Sequence, residues 1–201
     1  MTAEISEISR VLRTTQPRLA GVDGVDGSGK SWLATLLSKE LGWPHVDLDD
    51  HIENNMGGYV EHVHYNEVQN ILNNTSGPVI IEGVCLLHVF ERLQRHMDFL
   101  IYVKRVAHNG RWYDEEDCTV SEDIDDFINN KRGELRKFAE MDAYMTGEEP
   151  RTDVEFPALD EEIIRYHYNY RPQDKANILY ERLITRRSTG SRTSPKKRAS
   201  R

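Results

Sequence analysis

The chain has 201 residues, 38% of them hydrophobic and 30% charged, with a formal net charge of −8. This composition is typical of a one-domain globular protein, and no apolar run approaches the roughly 20 residues of a transmembrane helix. The first 21 residues lack a signal-peptide pattern, and two cysteines are too few for a disulfide framework or a zinc site. The sequence therefore predicts a cytoplasmic protein with reduced cysteines.

The charge is distributed unevenly along the chain. Residues 186–201 contain seven Lys and Arg residues and no acidic residue, which leaves a net charge of −15 for residues 1–185. Such an acidic body argues against nucleic-acid binding through a general basic face. The basic segment, rich in Ser, Thr and Gly, predicts a disordered tail. A contact of this tail with nucleic acid is the less favoured interpretation, and the sequence leaves the oligomeric state open.

Predicted strands and helices alternate along the chain. A short amino-terminal helix within residues 1–16 is followed by Pro17 and a first strand at residues 18–23. Further strands are predicted at residues 45–49, 79–84, 99–103 and 177–180, and further helices at residues 31–41, 65–72, 89–95, about 121–145 and 160–170. This alternation predicts an α/β fold with a parallel sheet covered by helices on both faces.

The strongest motif lies between the first strand and the next helix, where residues 24–31 match G-x-x-x-x-G-K-[ST]. In such a P-loop, backbone N–H groups and the helix amino terminus point at the phosphates of a nucleotide. Lys30 is predicted to span the β- and γ-phosphates, and the Ser31 hydroxyl to bind Mg²⁺. The predicted nucleotide-binding residues are Gly24, Val25, Asp26, Gly27, Ser28, Gly29, Lys30 and Ser31.

Carboxylates follow two of the later strands. Asp47 and Asp49 are two residues apart at the end of a predicted strand, so both are expected to face the ligand crevice. One of the two would hold the metal directly or through water, and the other would accept the proton of the attacking hydroxyl, with a functional role favoured for Asp49. Glu82, at the end of the next strand, is a third candidate, either as a group near Mg²⁺ or as a ligand of the acceptor. A solvated acidic loop with Asp50 as helix cap, and an ordinary strand-end acid at Glu82, remain the alternatives.

Together these residues resemble known kinase families. The P-loop, Leu48-Asp49-Asp50 and Ile81-Glu82-Gly83-Val84 resemble the uridine kinase and phosphoribulokinase group of P-loop kinases, and residues Asp47 to Glu53 are similar to the D-x-D-x-x-I-E segment of shikimate kinases. Both resemblances place the catalytic base at Asp49, and the second gives Asp47 a metal-binding role. They imply a three-layer P-loop NTPase fold with a five-stranded parallel sheet and a mobile lid, and ATP with Mg²⁺ as phosphoryl donor.

A lid in P-loop kinases supplies arginines that neutralise the charge of the transferred phosphoryl group. Residues 104–158 are charged and irregular, and we expect the lid there, with Arg111 and Arg132 as its catalytic arginines. Solvated helix charges are the alternative for both. The predicted organisation is an amino-terminal extension (residues 1–17), a kinase domain (residues 18–185) and the basic tail (residues 186–201).

Two classes of function fit these motifs. The first is an ATP-dependent kinase that phosphorylates a hydroxyl of a nucleoside or another small metabolite. The second is a regulatory P-loop ATPase without a small-molecule acceptor, and a kinase-derived structural subunit is a third hypothesis. The chain has no N-K-x-D motif of the kind that GTPases use to bind guanine, and it retains an acid at Asp49. The sequence therefore favours the kinase and leaves its acceptor open.

Overall fold

The computed structural model describes residues 4–53, 56–147, 149 and 154–184. The strands are β1 (Leu19–Asp23), β2 (His45–Asp47), β3 (Val79–Glu82), β4 (Phe99–Val106) and β5 (Ile178–Leu183). The helices are α1 (Ile5–Thr15), α2 (Lys30–Leu41), α3 (Tyr65–Asn74), α4 (Leu86–Arg92), α5 (Glu115–Cys118), α6 (Ile124–Thr146), α7 (Ala158–Tyr170) and α8 (Pro172–Lys175). Two short 3-10 helices span Leu48–His51 and Val60–His62.

The five strands form one sheet in the order β2-β3-β1-β4-β5, and every pairing is parallel. The central strand β1 is buried along its whole length, as its apolar sequence predicts. The chain moves to one side of β1 for β2 and β3 and to the other side for β4 and β5, so the strand order reverses at β1. In open α/β sheets such a reversal creates the ligand crevice at the carboxyl ends of the strands. The predicted fold is confirmed.

Helices cover both faces of the sheet and make two apolar cores. On one face α1 and α2 pack on the sheet through Ile8, Leu12, Leu33 and Leu37. On the other face α3, α4 and α7 contribute a larger core. Within the described residues, no helix is both long and apolar enough to cross a bilayer.

The arrangement of strands and helices does not test the predicted division into residues 1–17, 18–185 and 186–201, which stays a prediction. The predicted amino-terminal extension contains α1, whose Ile8 and Leu12 are fully buried against the domain. The predicted lid region contains α5 and the 23-residue helix α6, and the mobility of a lid stays a prediction. The predicted basic tail, residues 186–201, lies outside the described residues.

The second strand ends two residues earlier than predicted. β2 stops at Asp47 because the Asp47 carboxylate accepts a hydrogen bond of 2.9 Å from the backbone N–H of Asp49 and so starts a 3-10 turn. Asp47 and Asp49 therefore do not lie on one strand face. Asp47 pairs across the sheet with Glu82, whereas Asp49 is exposed on the turn.

Replacing Gly21 in β1 tests the close packing of α4 on the sheet. An added Cβ would lie 2.8 Å from Leu86 Cδ2 and 2.8 Å from Met97 Sδ, and both side chains are buried and cannot turn into solvent. We expect Gly21→Ala to lower the free energy of unfolding by about 1–3 kcal/mol, measured by urea titration.

Gly133→Ala is the matched control for that substitution. Gly133 lies inside α6, and an added Cβ would meet no atom within 4 Å. Because alanine is a better helix former than glycine, the free energy of unfolding of this variant should be higher by roughly 0.5–1 kcal/mol. Equal effects of the two substitutions would contradict the tight packing at Gly21.

Candidate active site

The P-loop connects β1 to α2 with a backbone that glycine alone adopts without strain. Gly24, Gly27 and Gly29 have φ angles of 152°, 67° and 99°. At Gly24 a Cβ would also lie 2.7 Å from the carbonyl oxygen of Val103. The three glycines thus keep the loop curled, and Gly29 is the amino-terminal cap of α2. A helix amino terminus preceded by such a loop is a site for phosphate.

Lys30 lies inside this loop. Its side chain is 5% exposed, and its Nζ donates a hydrogen bond of 3.2 Å to the carbonyl oxygen of Val25. A buried ammonium group needs negative partners, and phosphates would provide them. The position agrees with the phosphate-binding role predicted for Lys30, which stays a proposal.

Asp23 is a buried carboxylate directly before the loop, and the sequence analysis did not single it out. Its Oδ1 accepts a hydrogen bond of 2.7 Å from the Gly24 N–H, and its Oδ2 accepts one from the Tyr166 hydroxyl. Burial raises the pKa of Asp23 to about 6, although both hydrogen bonds and the nearby Lys30 charge oppose the shift. Asp23 thereby ties the start of the loop to α7. An acid at the end of an apolar strand was the available signal.

Glu82 and Asp47 lie side by side at the carboxyl ends of β3 and β2. Glu82 is fully buried, and neither of its carboxylate oxygens has a hydrogen-bond partner among the described residues. Burial raises the pKa of Glu82 to about 7; the Asp47 charge adds to the shift, and Ser31 and Lys30 oppose it. His45 Nε2 lies 3.9 Å from Glu82 Oε1, beyond hydrogen-bond distance. A buried carboxylate without a hydrogen bond is costly unless a cation binds it. The oxygens of Ser31, Asp47 and Glu82 therefore fit a hard divalent cation such as Mg²⁺.

Asp49 lies on the 3-10 turn after β2, beside Tyr59. The Tyr59 hydroxyl donates a hydrogen bond of 2.8 Å to Asp49 Oδ1, and the tyrosine is 3% exposed. Burial, and then the Asp49 charge, raise the pKa of Tyr59 well above its usual value, so its hydroxyl stays protonated. The Tyr59 hydroxyl oxygen would lie 2.8 Å from a Cβ at Gly83, which explains the glycine after Glu82. Asp49 thus already accepts a hydrogen bond from a hydroxyl group.

The two predicted lid arginines lie outside the loop. Arg111 is exposed on the turn after β4, and Arg132 on α6 forms an ion pair of 2.6 Å with Glu161. Within the described residues, no hydrogen bond or ion pair joins either guanidinium to residues 24–31. Their catalytic role stays a prediction that depends on a movement of the lid.

Two other arginines contact the loop. Arg105 Nη1 would lie 3.6 Å from a Cβ at Gly27, and its Nε donates to Asp114 at 2.9 Å. Arg182 donates to the carbonyl oxygen of Ser28 at 3.2 Å, and its guanidinium would overlap a Cβ at Gly29. The sequence analysis missed Arg182, which lies in the last strand. Its spacing of two from Tyr180 and four from Ile178, which pack toward α2, was the signal that could have placed it.

The family model for shikimate kinase matches residues 26–81, and no curated protein matches the chain. The match confirms the predicted resemblance of the D-x-D segment to shikimate kinases.

Three solved structures, each 16% identical to this chain, are among the similar ones. A possible uridine kinase from Bacillus stearothermophilus has a TM-score of 0.41 over 88% of this chain and 96% of that chain. Shikimate kinase from Acinetobacter baumannii in complex with shikimate has a TM-score of 0.40 over 87% of both chains. A gluconokinase from Sinorhizobium meliloti has a TM-score of 0.33 over 76% of this chain and 90% of that chain. The assignment of the fold to this chain follows from its strand order and strand directions.

The pKa of Asp23 predicts a pH dependence of stability. Because this pKa is about 6 in the folded chain, against a usual value of 3.8 for an aspartate, the folded state holds the proton more tightly between these pH values. Stability contributed by protonated Asp23 is therefore lost as the pH rises from about 4 to about 6. Asp23→Asn removes this titrating group, so the variant should not lose the same stability. Relative to the unaltered chain, we expect the free energy of unfolding of Asp23→Asn to be about 2 kcal/mol higher at pH 7 than it is at pH 4.

Urea titrations of both proteins at pH 4 and pH 7 measure this difference. Glu40→Gln, at an exposed position on α2, is the control and should give the same pH dependence as the unaltered chain. A difference for Asp23→Asn that does not change with pH would contradict the raised pKa.

Proposed function

We propose that the chain is an ATP-dependent kinase that transfers the γ-phosphoryl group to a hydroxyl of a small molecule. The observation that carries the proposal is the hydrogen bond from the Tyr59 hydroxyl to Asp49. This hydroxyl lies beside Gly83, directly after β3, and Glu82 of β3 pairs with Val22 of β1 directly before Asp23 and the P-loop. The charges of Asp49, Asp47 and Glu82 all act on Tyr59, and Glu82 in turn interacts with Ser31 and Lys30. A hydroxyl beside Asp49 is therefore near the place where a terminal phosphate would lie.

The proposed roles follow from these positions. The amides of residues 24–31 and the Lys30 ammonium hold the phosphates of ATP, and Ser31, Asp47 and Glu82 hold Mg²⁺ directly or through water. When bound, Mg²⁺ neutralises charge on the phosphates. Arg105, beside Gly27, and Arg182, beside Gly29, add positive charge, and we retain Arg111 and Arg132 as arginines that a lid could bring in.

Asp49 acts as the general base in this proposal. The acceptor oxygen attacks the γ-phosphorus, its proton passes to the Asp49 carboxylate, and the bond to the oxygen that bridges the β- and γ-phosphorus breaks. The exposed position of Asp49 suits this role, because a base must reach the incoming hydroxyl. Buried Glu82 suits the metal instead, because it lies beside Ser31 and Lys30.

The alternative, a regulatory ATPase without an acceptor, is not favoured. The shikimate kinase match covers most of the loop and the segment with Asp47 and Asp49. Release of ADP that no hydroxyl compound accelerates would support the ATPase instead. Titration of ATP with and without a panel of nucleosides, sugars and polyols, with ADP release as the readout, separates the two functions.

Replacing Asp49 tests the general base. We expect Asp49→Asn to lower turnover at least about a hundredfold and to leave the Kd for ATP nearly unchanged, because the amide cannot take the proton. Asp50→Asn is the matched control: Asp50 lies on the same 3-10 turn, is exposed, and has no proposed catalytic role. Unchanged turnover in Asp49→Asn, or equal losses in both variants, would refute the assignment.

Replacing Lys30 tests the phosphate site. Lys30→Ala should weaken ATP binding and also lower turnover, because the ammonium is proposed to contact phosphates before and during transfer. Isothermal titration with a non-hydrolysable ATP analogue measures the first effect, and ADP release measures the second. Lys39→Ala, at an exposed position on the same helix, should change neither. Unaltered binding and activity in Lys30→Ala would remove the lysine from the mechanism.

A further inference from the structure

His45, the first residue of β2, lies beside Glu82 on one face of the sheet. In the parallel pairing of β2 with β3, His45 is opposite Ile80 and Asp47 is opposite Glu82. Side chains two residues apart on a strand share a face, so His45, Asp47 and Glu82 lie on the same face as Ile80. Ile80 belongs to the core that α2 covers, and α2 begins at Lys30. His45 therefore lies on the side of the sheet where the P-loop enters its helix.

Two buried polar atoms face each other at this place without a hydrogen bond. His45 Nε2 and Glu82 Oε1 are 3.9 Å apart, and within the described part of the chain neither atom has a hydrogen-bond partner. The His45 side chain is 20% exposed, but its Nε2 is buried together with the Glu82 carboxylate. An approach of about 1 Å would bring the two atoms to the usual hydrogen-bond distance and satisfy both.

A cation at Glu82 gives this approach a physical reason. A carboxylate that binds a cation is ionised, and its remaining lone pairs still need donors. The neighbouring Asp47 carboxylate supplies none when it is ionised, whereas an imidazole with a proton on Nε2 does. Because Mg²⁺ takes oxygen ligands, the imidazole is suited to hold Glu82 rather than the cation itself. Carboxylates that bind metals are commonly oriented by such hydrogen bonds from outside the metal's ligands.

We propose that His45 is a positioning residue for the divalent cation: its Nε2–H donates a hydrogen bond to Glu82 and holds the carboxylate in the orientation in which it binds the cation. The inference rests on the proposed function, and it deepens the cation site of that function by a residue outside the predicted set.

Nucleotide binding with and without the cation measures this role in the absence of phosphoryl transfer. Isothermal titration of a non-hydrolysable ATP analogue gives one Kd with excess Mg²⁺ and one with EDTA. We call the ratio of the two the cation effect, since it expresses how strongly the cation and the nucleotide favour each other's binding. A residue that acts through Glu82 changes this ratio, whereas a residue that only supports the fold changes both Kd values alike.

Replacing His45 by residues with and without a donor is the central experiment. His45→Phe keeps a ring and removes the donor, so we expect the cation effect to fall about tenfold while the Kd with EDTA stays nearly unchanged. His45→Ala, which adds no apolar volume, should give the same loss. His45→Gln keeps an N–H at a similar reach and should retain most of the cation effect. His96→Phe, at an exposed position before β4, is the control and should change neither Kd.

A double variant tests whether His45 acts through Glu82. Glu82→Gln should itself lower the cation effect, and adding His45→Phe to it should lower the effect little further, because the carboxylate that His45 holds is gone. The inference would be overturned by a full cation effect in His45→Phe and His45→Ala, by an equal loss in His45→Gln, or by additive losses in the double variant.

The proposed function and this inference fail in different ways. A cation effect that His45→Phe lowers, in a chain that phosphorylates no compound of the panel, would support the role of His45 and contradict the kinase. Phosphorylation by the unaltered chain, with a cation effect that His45→Phe leaves unchanged, would support the kinase and contradict the role of His45. Equal Kd values with Mg²⁺ and EDTA in the unaltered chain would overturn the inference together with the cation site.

Discussion

Burial of carboxylates around the phosphate loop is the constraint on which the site depends. Parallel strands bring Asp23, Asp47 and Glu82 together at the carboxyl ends of the strands. The side chains of Asp23 and Glu82 are fully buried. Charges removed from water are costly unless opposite charges or hydrogen bonds compensate them. The compensation comes from the Tyr166 hydroxyl and the Gly24 N–H at Asp23, and from the charge of Lys30. A bound cation would complete it at Glu82, for which the described residues provide no hydrogen bond.

The two acidic environments explain why similar side chains take different proposed roles. Burial raises the pKa of Glu82, beside Ser31 and Lys30, whereas Asp49 lies on an exposed turn. A buried carboxylate is suited to a fixed cation, and an exposed one can reach an incoming hydroxyl. The 3-10 turn makes this separation, because Asp47 caps the turn and directs Asp49 away from the strand.

Helix α7 contacts both the residue before the P-loop and the segment of residues 56–63. Its Tyr166 donates to Asp23 behind the loop, and its Glu162 accepts the N–H groups of Tyr59 and Val60. One helix therefore contacts residues beside the proposed phosphate site, through Asp23, and beside the proposed base, through Tyr59. A displacement of α7 would change the start of the loop and the position of the Tyr59 hydroxyl together.

The sequence by itself determined the fold class and the phosphate loop, because both depend on local patterns. Each strand or helix is predicted from a short stretch of chain, and so is the P-loop, from the spacing of Gly24, Gly29 and Lys30. Tertiary structure alone decided which side chains meet across long separations. Arg182, in the last strand, donates a hydrogen bond to the carbonyl oxygen of Ser28 in the P-loop. Glu162 accepts a hydrogen bond from the backbone N–H of Tyr59, which is 103 residues away in the chain. Local spacing can assign Arg182 to a face of its strand, but it cannot identify the partner of either side chain, because these contacts form only when the sheet and α7 pack together.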